Sequence, residues 1–351
     1  MQGVDWQALD RLRSIFLRGE PVRGSYWKSR SDLSTYDATL GERIGWKWDA
    51  VLVELRKLGW TPPSGPLFDF GCGSGIAGRR VVRAFGSSAF SEVRVHDKSA
   101  LAEEFALDRL RNTFSGIQAR RVDSNSVGTA AQGGTLVVSH VLSEMTGAVR
   151  QSLIRLASHA SAVIWVEPGT HADSHALVEV REALLPEFLP IAPCVHREGC
   201  GLLTAGNERH WCHFFAQPPW EIFADPQWSE FARRMGIDLR SLPYSYLVME
   251  RKGIRSPAST LPEDCTRILG APRFYKGYAK VFGCNSCGVT EWTWPKRAGG
   301  KWFKQMKDGD MDPLLRLRCE GDQVQEVEPV FSSPETTTEE ALEESGDSEA
   351  S

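Results

Sequence analysis

Between Ala192 and Phe215 the chain sets Cys194, Cys200 and Cys212 among three histidines, in the stretches APCVHREGC and HWCHFF. Far downstream, FGCNSCG adds Cys284 and Cys287. Thiolates are soft ligands that select zinc or iron–sulfur clusters. In a reducing compartment, clustered cysteines are more often metal ligands or catalytic groups than disulfides. A zinc ribbon uses two Cys-x-x-Cys knuckles, and only CNSC has that spacing here. The wide gaps suit a cluster wrapped by loops. Spacing alone still leaves zinc and iron–sulfur level, with inert buried thiols as the plain alternative.

A second group of residues points to a nucleotide-like ligand. In FDFGCGSGIAG, Asp69, Gly71, Gly73 and Gly75 follow an apolar strand and precede a helix. Glycines there allow a tight turn and close approach of a ligand to the helix N-terminus. The next strand, VRVHD, ends in Asp97, where a carboxylate can accept hydrogen bonds from ribose hydroxyls. A dinucleotide loop reads Gly-x-Gly-x-x-Gly. This one reads Gly-x-Gly-x-Gly with an acid two residues ahead, which suits S-adenosylmethionine (SAM), and Asp69 can take the ligand's ammonium directly or through water. A dinucleotide, or a bare turn with no ligand, are the competing readings. After the fourth strand, SHVLSEM offers His140 and Glu144 as bases, or as helix caps. The Asn/Asp-Pro-Pro-aromatic signature of base or amide-nitrogen methylation is absent from this stretch.

The elements that must position these residues are partly legible. Residues 1–62 read as helical, with DWQALDRLRSIFLRG and ERIGWKWDAVLVELRKLGW repeating apolar residues at helical spacing. Over 63–190, strands PLFDF, EVRVHD, TLVVSHVLSE and SAVIWVEPG alternate with helices. The pattern predicts an α/β doubly wound, Rossmann-like parallel sheet. Residues 191–320 lose helical periodicity and read as cysteine-bearing loops leading into a β-rich module, with strands at SYLVMERK, YAKVFGC and TEWTWPKR. The net charge of −4 hides a segregation. Residues 267–318 hold eleven Lys/Arg against four Asp/Glu, and residues 320–351 hold eleven Asp/Glu and no Lys or Arg. The basic segment interleaves Arg273, Lys276, Lys280, Lys296, Arg297 and Lys301 with Phe274, Tyr275, Tyr278, Trp292, Trp294 and Trp302. Cations contact phosphates and aromatics stack on unpaired bases, so these are RNA-contact candidates. The alternative is a solvated basic face over a tryptophan core. The segment 321–351 reads as an acidic, disordered tail. No apolar run is long enough for a membrane span, and the charged N-terminus has no signal-peptide pattern, so a soluble intracellular protein is expected.

YDATLGERIGWKWD, LFDFGCGSG, VLSEM, VEPGT, PCVHREGC, WCHF and RILGAPRFYKGYAKVFGC occur in one order. Together, over about residues 25–310, they resemble the ribosomal small-subunit methyltransferase-like family: the mitochondrial small-ribosomal-subunit assembly factor and its bacterial relatives. The resemblance implies a class I SAM-dependent methyltransferase fold, SAM binding, and association with small-subunit rRNA. It also implies a [4Fe-4S] cluster on Cys194, Cys200, Cys212 and Cys284, with Cys287 as the alternative last ligand. The compartment expected is the cytoplasm for a bacterial member, or the mitochondrial matrix for a eukaryotic one. Two other functions fit the residues: a catalytically degenerate assembly chaperone, and a methyltransferase with a non-RNA substrate and a structural zinc.

Overall fold

The computed structural model describes residues 4–17, 24–254, 261–262 and 264–331. The chain divides into two compact units, Met1–Leu261 with Leu269–Ala271, and Pro262–Ile268 with Pro272–Ser351.

In the first unit, helices α1 (Trp6–Phe16) and α2 (Arg30–Tyr36) start at Asp5 and Ser29. The side-chain oxygens of those two residues accept otherwise orphaned first-turn amides. A π-turn over Asp37–Gly41 runs into α3 (Glu42–Lys57). Strands and helices then alternate: β1 (Leu67–Phe70), α4 (Ile76–Phe85), β2 (Val93–His96), α5 (Ala100–Thr113), β3 (Ala119–Arg121), β4 (Thr135–Ser139), α6 (Gly147–Ala157), β5 (Ala162–Pro168), α7 (His171–Leu184) and β6 (Phe188–Ala192). Short β7 (Phe214–Phe215), α8 (Pro226–Met235) and β8 (Pro243–Arg251) follow. The main sheet has the order β3-β2-β1-β4-β5-β8-β6. Strands β1 to β5 pair in parallel, whereas β8 is antiparallel to both β5 and β6. The chain therefore reverses its winding between β1 and β4, the point where open α/β sheets bind ligands. Phe68, Leu136, Val138, Val163, Trp165, Phe188 and Leu247 pack one core over these strands.

Two expectations need correction here, and one strand had no counterpart among them. The break expected at 190 is not a break in this sheet: SYLVMERK is β8, hydrogen-bonded between β5 and β6. The strand expected over TLVVSHVLSE stops at Ser139, and Leu142–Glu144 forms a 3-10 turn. β3, of sequence ARR and largely exposed, was not anticipated.

The second unit is a closed barrel of β9 (Cys265–Tyr275), β10 (Tyr278–Asn285), β11 (Gly288–Pro295), β12 (Leu314–Glu320) and β13 (Gln323–Pro329), with the helix α9 (Lys296–Asp308) between β11 and β12. Its core is Ile268, Ala279, Val281, Trp292, Trp294, Phe303, Met306, Leu315 and Val324. Trp292 and Trp294 are thus packing residues, not stacking platforms. The disordered tail is corrected in part as well. Gln323–Pro329 is a strand, because Val324 faces the core and Arg318 on β12 pairs with Glu326 at 3.2 Å. The remainder of the tail, 332–351, lies outside the described residues. No described helix is long and apolar enough to cross a membrane.

Candidate functional site

The glycine loop leaves β1 with Gly71, Gly73 and Gly75 all at positive φ (67°, 51° and 74°), a region that strains other residues. The loop is held from below. Gly71 and Cys72 donate their amides to the His96 carbonyl at 2.8 and 3.1 Å. Arg79 on α4 donates to the Ser74 carbonyl at 2.8 Å and to the buried Asp37 carboxylate at 2.5 Å, tying the loop to the π-turn. Asp97 closes the arrangement by accepting from the Gly73 amide at 3.0 Å and the Ser99 amide at 2.9 Å.

A cavity of about 510 Å³ opens over this loop, a size usual for small-ligand sites. Gly71, Gly73, Asp97, His140 and Glu144 all line it. A Cβ on Gly73 would meet nothing within 4 Å, so the backbone here presents an open cradle. Asp69 and Gly75 are not on the cavity wall. Asp69 is 1% exposed, and its Oδ2 accepts the Gly78 amide at 3.0 Å under the first turn of α4. Its Oδ1 has no hydrogen-bond partner among the described residues. Burial pushes the Asp69 carboxyl up to about 7, with the Gly78 amide pulling the other way.

Several cavity residues were not singled out in the sequence. Phe16, Tyr26, Trp27 and Tyr36 form an edge-to-face aromatic wall, with Tyr26 and Trp27 centroids 4.6 Å apart and Trp27 and Tyr36 5.1 Å apart. Lys98 Nζ sits 4.8 Å over the Tyr26 ring. Lys47 is the most telling. Its Nζ lies 3.3 Å from His140 Nε2, and burial, then the Arg43 charge, push its pKa down to about 8. Burial, with Lys47 second, also holds the His140 imidazole well below its ordinary pKa. His140 has φ 54°, the one positive φ outside glycine among the described residues, and such outliers cluster at functional sites. Glu144 is engaged by Lys98 at 3.2 Å. Behind His140, Glu167 accepts from the Val141 and Leu142 amides and from Trp165 Nε1 through one oxygen. Its other oxygen is buried without a partner, and burial raises its pKa to about 8. Lys47 lay in view within GERIGWKWD; only the fold shows which histidine it meets.

The cysteines divide between the two units. Arg181, 2% exposed on α7, donates from Nε to Cys194 Sγ at 3.2 Å, while burial pushes the Cys200 thiol up to about 11. Cys200 donates its amide to Glu182 at 3.1 Å. The Cys212 carbonyl accepts from Ser174 and Ser245 at 2.8 and 2.6 Å. Cys284 and Cys287 belong to the second unit. Among the described residues no group of three or more His, Cys, Asp or Glu is gathered to hold a metal ion. The donor chemistry fits a soft metal; the grouping of donors does not.

Of the basic candidates, Arg273 pairs with Glu291, and Lys280 lies 3.6 Å from Asp322. Lys301 sits 5.1 Å over the Trp302 ring. Lys276, Lys296 and Arg297 are exposed.

A parallel sheet with one reversed strand between the last two, and a ligand-sized cavity over a glycine loop at the switch point, define a class I methyltransferase fold. The chain belongs to the family described as mitochondrial small ribosomal subunit Rsm22, whose profile matches residues 49–312. No curated protein matches its sequence. Among solved structures it is similar to magnesium protoporphyrin IX methyltransferase from Synechocystis with bound SAM (13% identity, 71% of this chain and 93% of that one, TM-score 0.39). It is also similar to the plantazolicin methyltransferase BpumL (11% identity, 70% and 100%, TM-score 0.36). Both likenesses are too distant to carry function; strand order and the family match stand without them.

Proposed function

We propose that the chain binds SAM in the cavity over Gly71 and Gly73 and acts on the RNA of the small ribosomal subunit during its assembly. The observation that carries this is the open Gly73 cradle beside Asp97 and an aromatic wall, in a member of a small-subunit family. Asp97 already orients toward the loop and retains lone pairs for ribose hydroxyls. Asp69 holds α4 in place behind the cradle. Tyr26, Trp27 and Tyr36 give the cavity an aromatic wall, and Lys98 over the Tyr26 ring is a cation already accommodated there. SAM, when bound, supplies a sulfonium-activated methyl group. Lys47 and His140 form the proton-handling pair on this wall: Lys47 donates to His140 Nε2, and near pH 8 Lys47 itself exchanges a proton.

A second reading, a SAM-binding assembly chaperone without transfer, is favoured by one observation. His140 Nε2 is taken up by Lys47 and Glu144 by Lys98, so each candidate base already has a partner. Tritiated SAM with immature small-subunit particles separates the two. Label in the RNA supports the enzyme; SAM binding without incorporation supports the chaperone. Absence of SAM binding overturns both.

The proposal extends to a [4Fe-4S] cluster on Cys194, Cys200, Cys212 and Cys284, with Cys287 as the alternative last ligand and zinc as the alternative metal. What supports it is the thiol chemistry, the Arg181 charge that would partner a thiolate, and the resemblance. Iron and sulfide in anaerobically purified protein test it; zinc alone sinks the cluster. The working place is wherever small subunits are assembled, the bacterial cytoplasm or the mitochondrial matrix.

A further inference from the structure

The strand order of the second unit carries more than its charge does. Numbered from its own first strand, the barrel runs 1-2-3-5-4 and closes on itself, with one helix between the third and fourth strands. The third and fifth strands, β11 and β13, pair in parallel at Thr293 and Gln323. This is the layout of an OB-fold, whose second and third strands and first and last hairpin loops grip single strands or sugars. A fold alone assigns no function, so the argument rests on what lies at those positions.

The two hairpin loops converge at one end of β10 and β11. Lys296 donates its amide to the Gly277 carbonyl of the first hairpin at 2.9 Å. Thr293 donates its amide to Asp322 of the last hairpin at 2.7 Å, and its hydroxyl lies 3.1 Å from the Asp322 carboxylate. Between them runs an open groove of about 690 Å³ lined by Tyr278, Thr293, Pro295, Lys296, Arg297 and Gln323. At its edge Tyr275 and Tyr278 stack face to face, centroids 4.9 Å apart and planes 11° from parallel. Tyr275 is 49% exposed, and the neighbouring Phe274 is exposed as well. The core needs neither tyrosine, since Trp292, Trp294 and Phe303 fill it. A basic groove with a begun aromatic stack, at the loops where this topology binds, is the combination that holds unpaired nucleotides.

We infer that the second unit reads single-stranded RNA, with Lys296 and Arg297 on the phosphates and the Tyr275–Tyr278 stack taking a base. The choice of RNA rests on the small-subunit reading above; the groove and the preference for a single strand do not.

The experiment measures binding of the full chain to fluorescent oligouridylate and to an RNA duplex of equal length. The single strand binds more tightly. Tyr275→Ala with Tyr278→Ala weakens that binding by roughly tenfold or more, the value of one lost stack, while Tyr275→Phe with Tyr278→Phe keeps it. Lys296→Ala with Arg297→Ala lowers the slope of log affinity against log salt by roughly 1.4, two phosphates' worth on a single strand. Near-UV circular dichroism from the buried tryptophans checks that the barrel stands. Equal or tighter duplex binding, or an unchanged affinity in a folded tyrosine double variant, overturns the inference. SAM affinity, measured on the same samples, reports separately on the glycine-loop site, so failure there leaves this result legible.

Discussion

At the scale of single residues, two glycines in one loop have different reasons to be glycine. A Cβ on Gly75 would stand 2.8 Å from Ala106 Cβ, whereas on Gly73 it would project into the open cradle. Gly75→Ala should therefore lower stability by about 1–3 kcal/mol through overpacking and strain, read by thermal unfolding. Gly73→Ala should cost SAM affinity roughly tenfold, seen by calorimetry, with a smaller loss of stability. Glu167 gives a pH prediction. Its folded pKa is raised from the ordinary 4.5 to about 8, so the folded state binds the extra proton between those values. The stability it supports is complete below 4.5 and is lost as pH rises toward 8. Asp69, raised to about 7, acts in the same direction over a lower window. Glu167→Gln preserves the acceptor that takes three hydrogen bonds and should flatten the decline. It should gain more than about 1 kcal/mol at pH 8, since one pKa unit is worth about 1.4. An unchanged pH profile would locate the decline elsewhere.

At the scale of elements, β8 is the piece the sheet depends on. It fills the slot between β5 and β6 and carries Tyr244, Tyr246, Leu247 and Met249 into the buried region. A chain ending at Leu242 should show no cooperative thermal transition, and limited proteolysis should cut it throughout the first unit. The same element marks the limit of what the sequence tells. Strands β1, β2, β4 and β5 announce themselves as short apolar runs between glycine-bounded helices, and Gly71, Gly73 and Asp97 sit where that alternation puts a ligand. SYLVMERK reads as a strand too, but nothing local says that it returns to a sheet begun well over a hundred residues earlier. α9 was hidden by its own Gly-Gly, with Gly300 at a non-helical φ of 43° inside it. β13 was hidden by composition and by a register shift opposite Arg318 and Cys319: its core-side Val324 and Val327 stand three residues apart, so no alternation shows. Lys47, His140 and Glu167 come from three separate segments, so their meeting was invisible before the fold.

At the scale of the whole chain, charge is sorted along the sequence, and part of the sorting is structural. Glu326 pairs with Arg318 within the barrel, so it is not free to mask the basic groove. Removing 332–351 takes away seven acidic groups and no basic ones, moving the net charge from −4 to +3. That deletion should strengthen nonspecific RNA binding at low salt and leave binding at high salt nearly unchanged; equal affinity at low salt would exclude a masking role. The late strand β8 also imposes an order on synthesis. As the chain emerges, β5 and β6 are made with the place between them still vacant, and residues 193–242 follow as a long connecting loop that carries β7 and α8. Cys194, Cys200 and Cys212 all lie in that loop. Domains generally fold as units, so these thiols, half-buried in the finished fold, stand fully open through a timed interval of translation. The interval closes only when the ribosome delivers Pro243–Arg251.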